Sequence, residues 1–412
     1  MVLILIEYLR ALGFKVPVVF EYVSTRMALA SITTLIISIF LGPVFIKKLY
    51  ELKIGQPIRM QECPLLGQLH EKKKDTPTMG GILILVSMIF SLIIWMDLRN
   101  SFTLLLLLTT IWIGFLGGID DYLKLKYKNS KGLSSKKKLI GQLLFSFFIA
   151  LYLLNPSITQ SIRLGKWFNP PQAKEIVLKK TVKLDAKEEI NTNKAVFLTT
   201  KEYISRIYIP FLKDPLIILD GALTIVLYLF IMFVITGASN AVNLTDGLDG
   251  LATGCMIMIA ASFGMIAFVS NNIDLASYLN ILYIEGSGEI AIYLLALIGA
   301  CLGFLWYNGH PAQVFMGDIG SLTLGAIIGV VAVLLDREIL LAIVGGVFVA
   351  EALSVILQVA SYKLRNKKRI FLCSPLHHHF EYKGWHETKI VIRFWIISLL
   401  LAILGVASLK FQ

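Results

Sequence analysis

Charge is what this 412-residue chain has least of. Charged residues make up 16% of it and hydrophobic residues 56%, where soluble domains carry about 25% and 45–50%. So few charges cannot cover a water-soluble surface of this size, which excludes a string of soluble domains. The apolar content excludes a disordered chain as well. Four cysteines, Cys63, Cys255, Cys301 and Cys373, show no paired spacing, so neither a disulfide framework nor a cysteine metal site is implied. With a mean hydropathy of +0.74, the class that remains is an all-α integral membrane protein, a single polytopic domain over 1–412.

Apolar runs near the spanning length of about twenty residues are what the chain has in quantity. They fall at about 27–46, 78–97, 102–119, 139–155, 216–236, 251–270, 289–306, 319–335, 338–361 and 389–409, predicting ten transmembrane helices. Residues 1–26 are apolar in patches broken by Glu7, Arg10, Lys15, Pro17 and Glu21. They read as an interfacial segment and not as a signal peptide.

The net charge of +12 sorts by loop. Segments 47–77 and 120–138 carry seven Lys/Arg each and 362–388 carries six, whereas the short alternate connections hold Arg99 alone, none, and Arg337 alone. The long connection 156–214 also carries many lysines, but long loops cross largely regardless of charge. The positive-inside rule makes the rich loops cytoplasmic and, with an even span count, puts both termini outside. Residues 156–214 then form an outer-side insertion between spans four and five. It has an alternating stretch (Ile176 to Leu178, then Thr181 to Leu184) and an amphipathic helix predicted near Tyr203–Ile209.

Polar residues collect at the cytoplasmic ends of the spans. Asp120-Asp121 ends span three; one reading is a solvated helix end with Lys124 at i, i+4, the other a cation site. Asn240-Ala-Val-Asn243-Leu-Thr-Asp246-Gly-Leu-Asp249-Gly lies between spans five and six. Its three-residue steps put Asn240, Asn243 and Asp246 on one helical face. Asp318, in Phe315-Met-Gly317-Asp318-Ile-Gly320-Ser321, opens span eight, where an N-cap is the simplest reading. His377-His378-His379 point in different directions and suit contacts to phosphate better than a shared zinc ion. His70 to Gly81, with Lys73 and Thr78, leads into a Gly-Gly helix start that favours anions. Carboxylates, amides, imidazoles and lysines on one membrane face are the inventory for Mg²⁺-dependent phosphoryl transfer between a soluble and a lipid-borne substrate.

In combination, Asp120-Asp121, the Asn240–Gly250 motif and Asp318 resemble the polyprenyl-phosphate N-acetylhexosamine-1-phosphate transferases. Thr76-Pro77-Thr78-Met79-Gly80-Gly81 and Pro375-Leu376-His377-His378-His379-Phe380-Glu381 resemble that family's muramoyl-pentapeptide branch. The resemblance covers nearly the whole chain. It implies transfer of phospho-MurNAc-pentapeptide from UDP-MurNAc-pentapeptide to undecaprenyl phosphate at the cytoplasmic leaflet of the inner membrane, giving lipid I and UMP. It further implies Asp318 as the Mg²⁺ ligand and Asp120 and Asp121 at the lipid phosphate. Asn243 and Asp246 would line the cleft, and His377, His378 and His379 the sugar-phosphate side. Lys73, Thr78, Asn240, Asp249, Asn308, Phe315 and Gln358 would lie around the substrate, and a homodimer is implied by analogy. The connection 156–214 is longer than is usual there, and Asp75 stands where some members have Gly. Two alternatives stay open: a GlcNAc-1-phosphate transferase for another polysaccharide, and a secondary transporter with membrane carboxylates.

Overall fold

The structure is a computed structural model that describes residues 1–52, 73, 76–127, 132–178 and 193–410. Lys53, Arg59, His70, Lys72, Lys74 and Asp75, and the alternation at Thr181 to Leu184, lie outside the described residues.

Helices α1 (Val2–Ala11), α2 (Val23–Glu51), α3 (Gly81–Trp95), α4 (Ser101–Lys126) and α5 (Ser135–Leu154) come first in the chain. A small mixed segment follows: α6 (Pro156–Ser161), β1 (Ala173–Leu178), β2 (Asn193–Leu198), α7 (Thr200–Ile204), β3 (Arg206–Ile207) and β4 (Ile217–Ile218). Then come α8 (Thr224–Thr245), α9 (Leu251–Ser270), α10 (Ile273–Tyr278), β5 (Tyr283–Ile284), α11 (Gly288–Asn308) and α12 (Gly317–Leu334). The chain closes with α13 (Glu338–Val344), α14 (Gly346–Leu364), α15 (Leu376–Tyr382) and α16 (Glu387–Ser408). Among the described residues nine helices are long and apolar enough to span a bilayer, and α3 is a shorter apolar helix of 15 residues.

α12 forms the centre of the bundle; every residue from Ile319 to Leu334 is buried. It packs on α4 and α8, while the equally buried α11 packs on α2 and α9. The outer helices turn large apolar side chains outward, with Phe40 78% and Leu364 84% exposed. Water would penalise such a surface; lipid tails do not. In lipid, helices associate by close packing and not by hydrophobic exclusion, so small residues mark the crossings. A Cβ on Gly299 of α11 would strike the Ser31 carbonyl of α2, and one on Gly325 of α12 would strike the Ala238 carbonyl of α8.

Four details depart from the sequence expectation. The fifth span runs Thr224–Thr245 and not 216–236, because Ile217–Ile218 pair with Arg206–Ile207 and because Asn240 and Asn243 find partners inside the bundle. The predicted helix near Tyr203–Ile209 stops at Ile204, closed at its start by a Thr199–Glu202 capping box, before the chain turns extended. The ninth span is interrupted at Gly345 into α13 and α14. Asn240 does not share a direction with Asn243, since its amide donates to Gln142 and the Thr236 carbonyl. The extended reading of residues 176–178 agrees with β1, which pairs antiparallel with β2 and, at Ala173-Lys174, with β5.

The bundle has two chemically different ends. α4 and α8 finish, and α5 and α12 begin, at the end that carries Asp120, Asp246, Lys138 and Asp318. The 156–219 segment follows the far end of α5. Its Tyr208 packs there on the loop after α12, with the Arg337 guanidinium 4.8 Å over the ring. At that far end a buried ion pair, Arg26 with Glu289 at 2.7 Å, ties α2 to α11.

Gly299→Val should wedge α2 from α11 and lower the thermal midpoint by several degrees, roughly what 1–3 kcal/mol of overpacking gives. Gly237→Ala, whose added Cβ meets nothing within 4 Å, should leave it unchanged. Equal midpoints for both variants would contradict the close crossing.

Candidate active site

Three backbone segments build the centre. Gly117, one turn before Asp120, lets α4 lie against the first turn of α12: a Cβ there would stand 2.5 Å from the Asp318 carbonyl oxygen. Gly317 takes a left-handed φ of +74°, and a Cβ on it would meet the Asp121 carboxylate at 2.6 Å and the Thr78 hydroxyl at 3.0 Å. Gly80 and Gly81 donate their N–H groups to the carbonyls of Phe315 and Met316 at 2.8 Å, and Phe315 N–H donates to Pro77. The Thr76–Gly81 motif and the Phe315–Asp318 motif are thus laced together by backbone.

Three carboxylates meet on this frame. Oxygens of Asp120, Asp121 and Asp318 all lie within 4.8 Å of one another. Each is oriented by an N–H donor: Leu133 to Asp120 at 2.7 Å, Ile319 to Asp121 at 3.0 Å, and the Asn243 amide to Asp318 at 3.0 Å. Asn243 also donates to Ser321. Two ammonium groups stand among them. Lys124 is 2.6 Å from Asp120 and 3.2 Å from Asp318, and Lys138 is 2.8 Å from Asp318. The i, i+4 pair of Asp120 with Lys124 forms, but both aspartates are buried, so this is not the solvated helix end that the sequence allowed. Asp318 sits in the first turn of α12 without capping it by a side-chain hydrogen bond.

A second cluster lies alongside. Lys73 Nζ is 2.7 Å from both Asp249 and Glu387. The other Asp249 oxygen is 3.0 Å from His310 Nδ1 and accepts from Ala312 N–H. Asp249, His310 and Glu387 could geometrically hold a cation, but Lys73 already supplies their counter-charge. Asp246 falls between the clusters, just past the end of α8. Burial, and then the negative charges of Asp318, Asp121 and Asp249, push its carboxyl up to about 7.

The remaining candidates spread around this core. Thr78 is buried and Phe315 is half-buried beside Gly80. Asn308 is buried and committed to Gly250 N–H, Thr253 and the Val314 carbonyl. Gln358 is engaged by the backbone of Ile370 and Phe371, so it holds the loop before α15. The histidines diverge as expected. His377 is buried against Gly247 and Glu351, His378 pairs with Glu381 at 2.6 Å, and His379 accepts from Leu372 N–H. Lys138, His310, Glu351 and Glu387 were not singled out by sequence. Glu351 left a signal, a single acid within an apolar run; Lys138 was hidden in a run read as topology.

The glycosyl transferase family 4 model matches residues 192–336, and the phospho-N-acetylmuramoyl-pentapeptide-transferase signature 1 matches 73–85. A phospho-N-acetylmuramoyl-pentapeptide-transferase of Protochlamydia amoebophila is 66% identical across the whole of both chains. The chain belongs to the phospho-N-acetylmuramoyl-pentapeptide transferase family. Transferases of the same description from Desulfotalea psychrophila (42% identical, 97% of this chain and 96% of the relative) and Francisella philomiragia (44%, 95% and 94%) extend the likeness. In this transferase the matched signature starts at Lys73 and runs through Thr78 into α3. That is the segment the structure joins to Asp249 and Phe315.

Two predictions follow from the centre. Asp318→Asn should cost at least about a hundredfold in turnover, the scale for removing a preorganised electrostatic group, with an unchanged melting profile; near-normal turnover would remove Asp318 from the centre. A folded-state Asp246 that holds its proton to about 7 makes ionisation costly to the fold, a cost that grows as pH rises from about 4 and levels off above about 7. Asp246→Asn should therefore raise the thermal midpoint at pH 8 in chelator and leave it unchanged at pH 4, while lowering turnover. No stabilisation at pH 8 would show that Asp246 is not strained.

Proposed function

We propose that the paired clusters carry out Mg²⁺-dependent transfer of phospho-MurNAc-pentapeptide from UDP-MurNAc-pentapeptide to undecaprenyl phosphate, giving lipid I and UMP. The observation that carries this reading is the convergence of Asp120, Asp121 and Asp318 within 4.8 Å at the bundle end where the basic loops emerge. Hard carboxylate oxygens fit Mg²⁺, with Asp318 as the principal ligand and Asp120 and Asp121 beside it. Held there, Mg²⁺ would supply positive charge to diphosphate oxygens.

The chain's own groups supply the rest. Lys124 and Lys138 hold positive charge at the carboxylates and offer it to the incoming lipid phosphate. Lys73, drawn between Asp249 and Glu387, serves the nucleotide side with Thr78 and Phe315, while Asn308 holds the Gly250 and Val314 backbone beside them. An oxygen of undecaprenyl phosphate attacks the phosphorus attached to the sugar, a P–O bond forms there, and the P–O bond to UMP breaks. A phosphate monoester with second pKa of about 6 is already mostly dianionic at neutral pH, so Asp120 and Asp121 orient the nucleophile and need not deprotonate it. His377, His378 and His379 contact the sugar-phosphate. The catalytic end faces the cytoplasm in a bacterial inner membrane, with both termini and the 156–214 insertion outside and two copies paired in the bilayer.

Full-length protein in lipid nanodiscs, given UDP-MurNAc-pentapeptide and undecaprenyl phosphate, should release UMP with Mg²⁺ and stop when the ion is chelated. Turnover undiminished by chelation would remove the metal from the scheme. Faster turnover of UDP-GlcNAc would reassign the sugar. Isolation of a phosphosugar–aspartate adduct would exclude direct attack.

A further inference from the structure

α14 turns much of its surface to lipid; Leu353, Ile356, Leu357 and Val359 are exposed. Its single acid, Glu351, is completely buried. A carboxylate in such a helix is expensive and is normally retained for a partner or a function. Both oxygens of Glu351 turn to one residue. Oε1 accepts the backbone N–H of His377 at 3.1 Å, and Oε2 stands 3.2 Å from Nδ1 of the same residue's ring, in an oblique approach. The His377 ring is 1% exposed; neither its Nε2 nor its Nδ1, nor Glu351 Oε2, makes a hydrogen bond among the described residues, so the 3.2 Å approach of Nδ1 to Oε2 is a close polar contact. Nε2 faces Gly247: a Cβ there would run into it, so the glycine makes room for the ring beside Asp246. A buried polar atom without a partner calls for an explanation, and its position in the cleft supplies one.

We infer that Glu351 is a positioning residue for the transfer reaction: it holds His377 with Nδ1–H toward itself and presents Nε2 to the phosphosugar beside the Asp246–Gly247 turn. The inference rests on reading His377 as a substrate contact. In a neutral imidazole one nitrogen donates and the other accepts, and the partner of the first settles the role of the second. His378 is oriented from within its own helix by Glu381, three residues on. His379 is oriented by a loop amide. His377 takes its partner from α14, so its ring is referenced to the bundle and not to a short loop. A Gln at 351 can satisfy the backbone N–H with its oxygen, but its NH₂ then opposes Nδ1–H and favours the other tautomer.

The test is a double-variant cycle on the full-length enzyme: Glu351→Gln, His377→Asn and the pair. The single Gln variant should lower kcat about tenfold and shift KM for the nucleotide substrate less than about twofold. The double variant should turn over no more slowly than His377→Asn alone, since a residue acting through another has nothing left to act on. In ¹⁵N-histidine-labelled protein, with His377 identified by its loss in His377→Asn, the ring signals should exchange their donor and acceptor character in Glu351→Gln. Independent, multiplying effects in the double variant, or ring signals unchanged by Glu351→Gln, would overturn the inference. Normal turnover by His377→Asn would overturn the reading of His377 and the inference with it. An impaired His377→Asn beside an unimpaired Glu351→Gln would sink the positioning role alone. Should Glu351→Gln fail to fold, Glu351→Asp withdraws the carboxylate by one methylene and is judged by the same non-additivity.

Discussion

The approach of α4 to α12 is the constraint on which the rest of the site depends. Gly117 and Gly317 bring two helix termini so close that three carboxylates share one small volume. Like charges at that range repel strongly, the more so away from bulk water. The fold offsets this with fixed donors, the Leu133 and Ile319 N–H groups and the Asn243 amide. Lys124 and Lys138 then balance the charge from two different helices. An arrangement held by fixed donors keeps its shape when the counter-charge changes.

The second cluster uses the same physics for a different end. Lys73 reaches Asp249 and Glu387 across 176 and 314 residues of chain, joining the segment before α3 to the start of α9 and of α16. Asp246 lies between the two clusters and near the buried His377, and its raised carboxyl records the crowding of negative charge there. One continuous run of charged side chains therefore links the Asp120–Asp121–Asp318 centre to the Lys73–Asp249–Glu387 cluster. Its cost in burial is carried by a bundle whose apolar packing comes from helices on every side of α12.

Much of this could be read in the sequence. The ten apolar runs correspond to nine long helices and one shorter one, and the motif residues Asp120, Asp121, Asn243 and Asp318 do converge. Departures have local causes. Asn240 shares a helical period with Asn243 but answers to Gln142 on α5, which no periodicity reveals. Ile217 and Ile218 look like the start of a span, yet a two-residue ladder takes them. Gly345 divides a run whose hydropathy is continuous. Gln358 and Asn308, placed near the substrate by resemblance, have side chains bonded to backbone that they hold in place.

By itself the sequence determined the membrane class, the spans, the split of basic from poor loops, and the family, because these rest on composition and on motifs contiguous in the chain. The tertiary structure alone decided which cations balance which carboxylates and which acid lies against His377. Lys138 with Asp318, Lys73 with Glu387 and Glu351 with His377 are pairings between separate helices and loops. Helical period carries no information about such partners; they are set by how closely small residues let the helices cross and by the need to neutralise charge away from water.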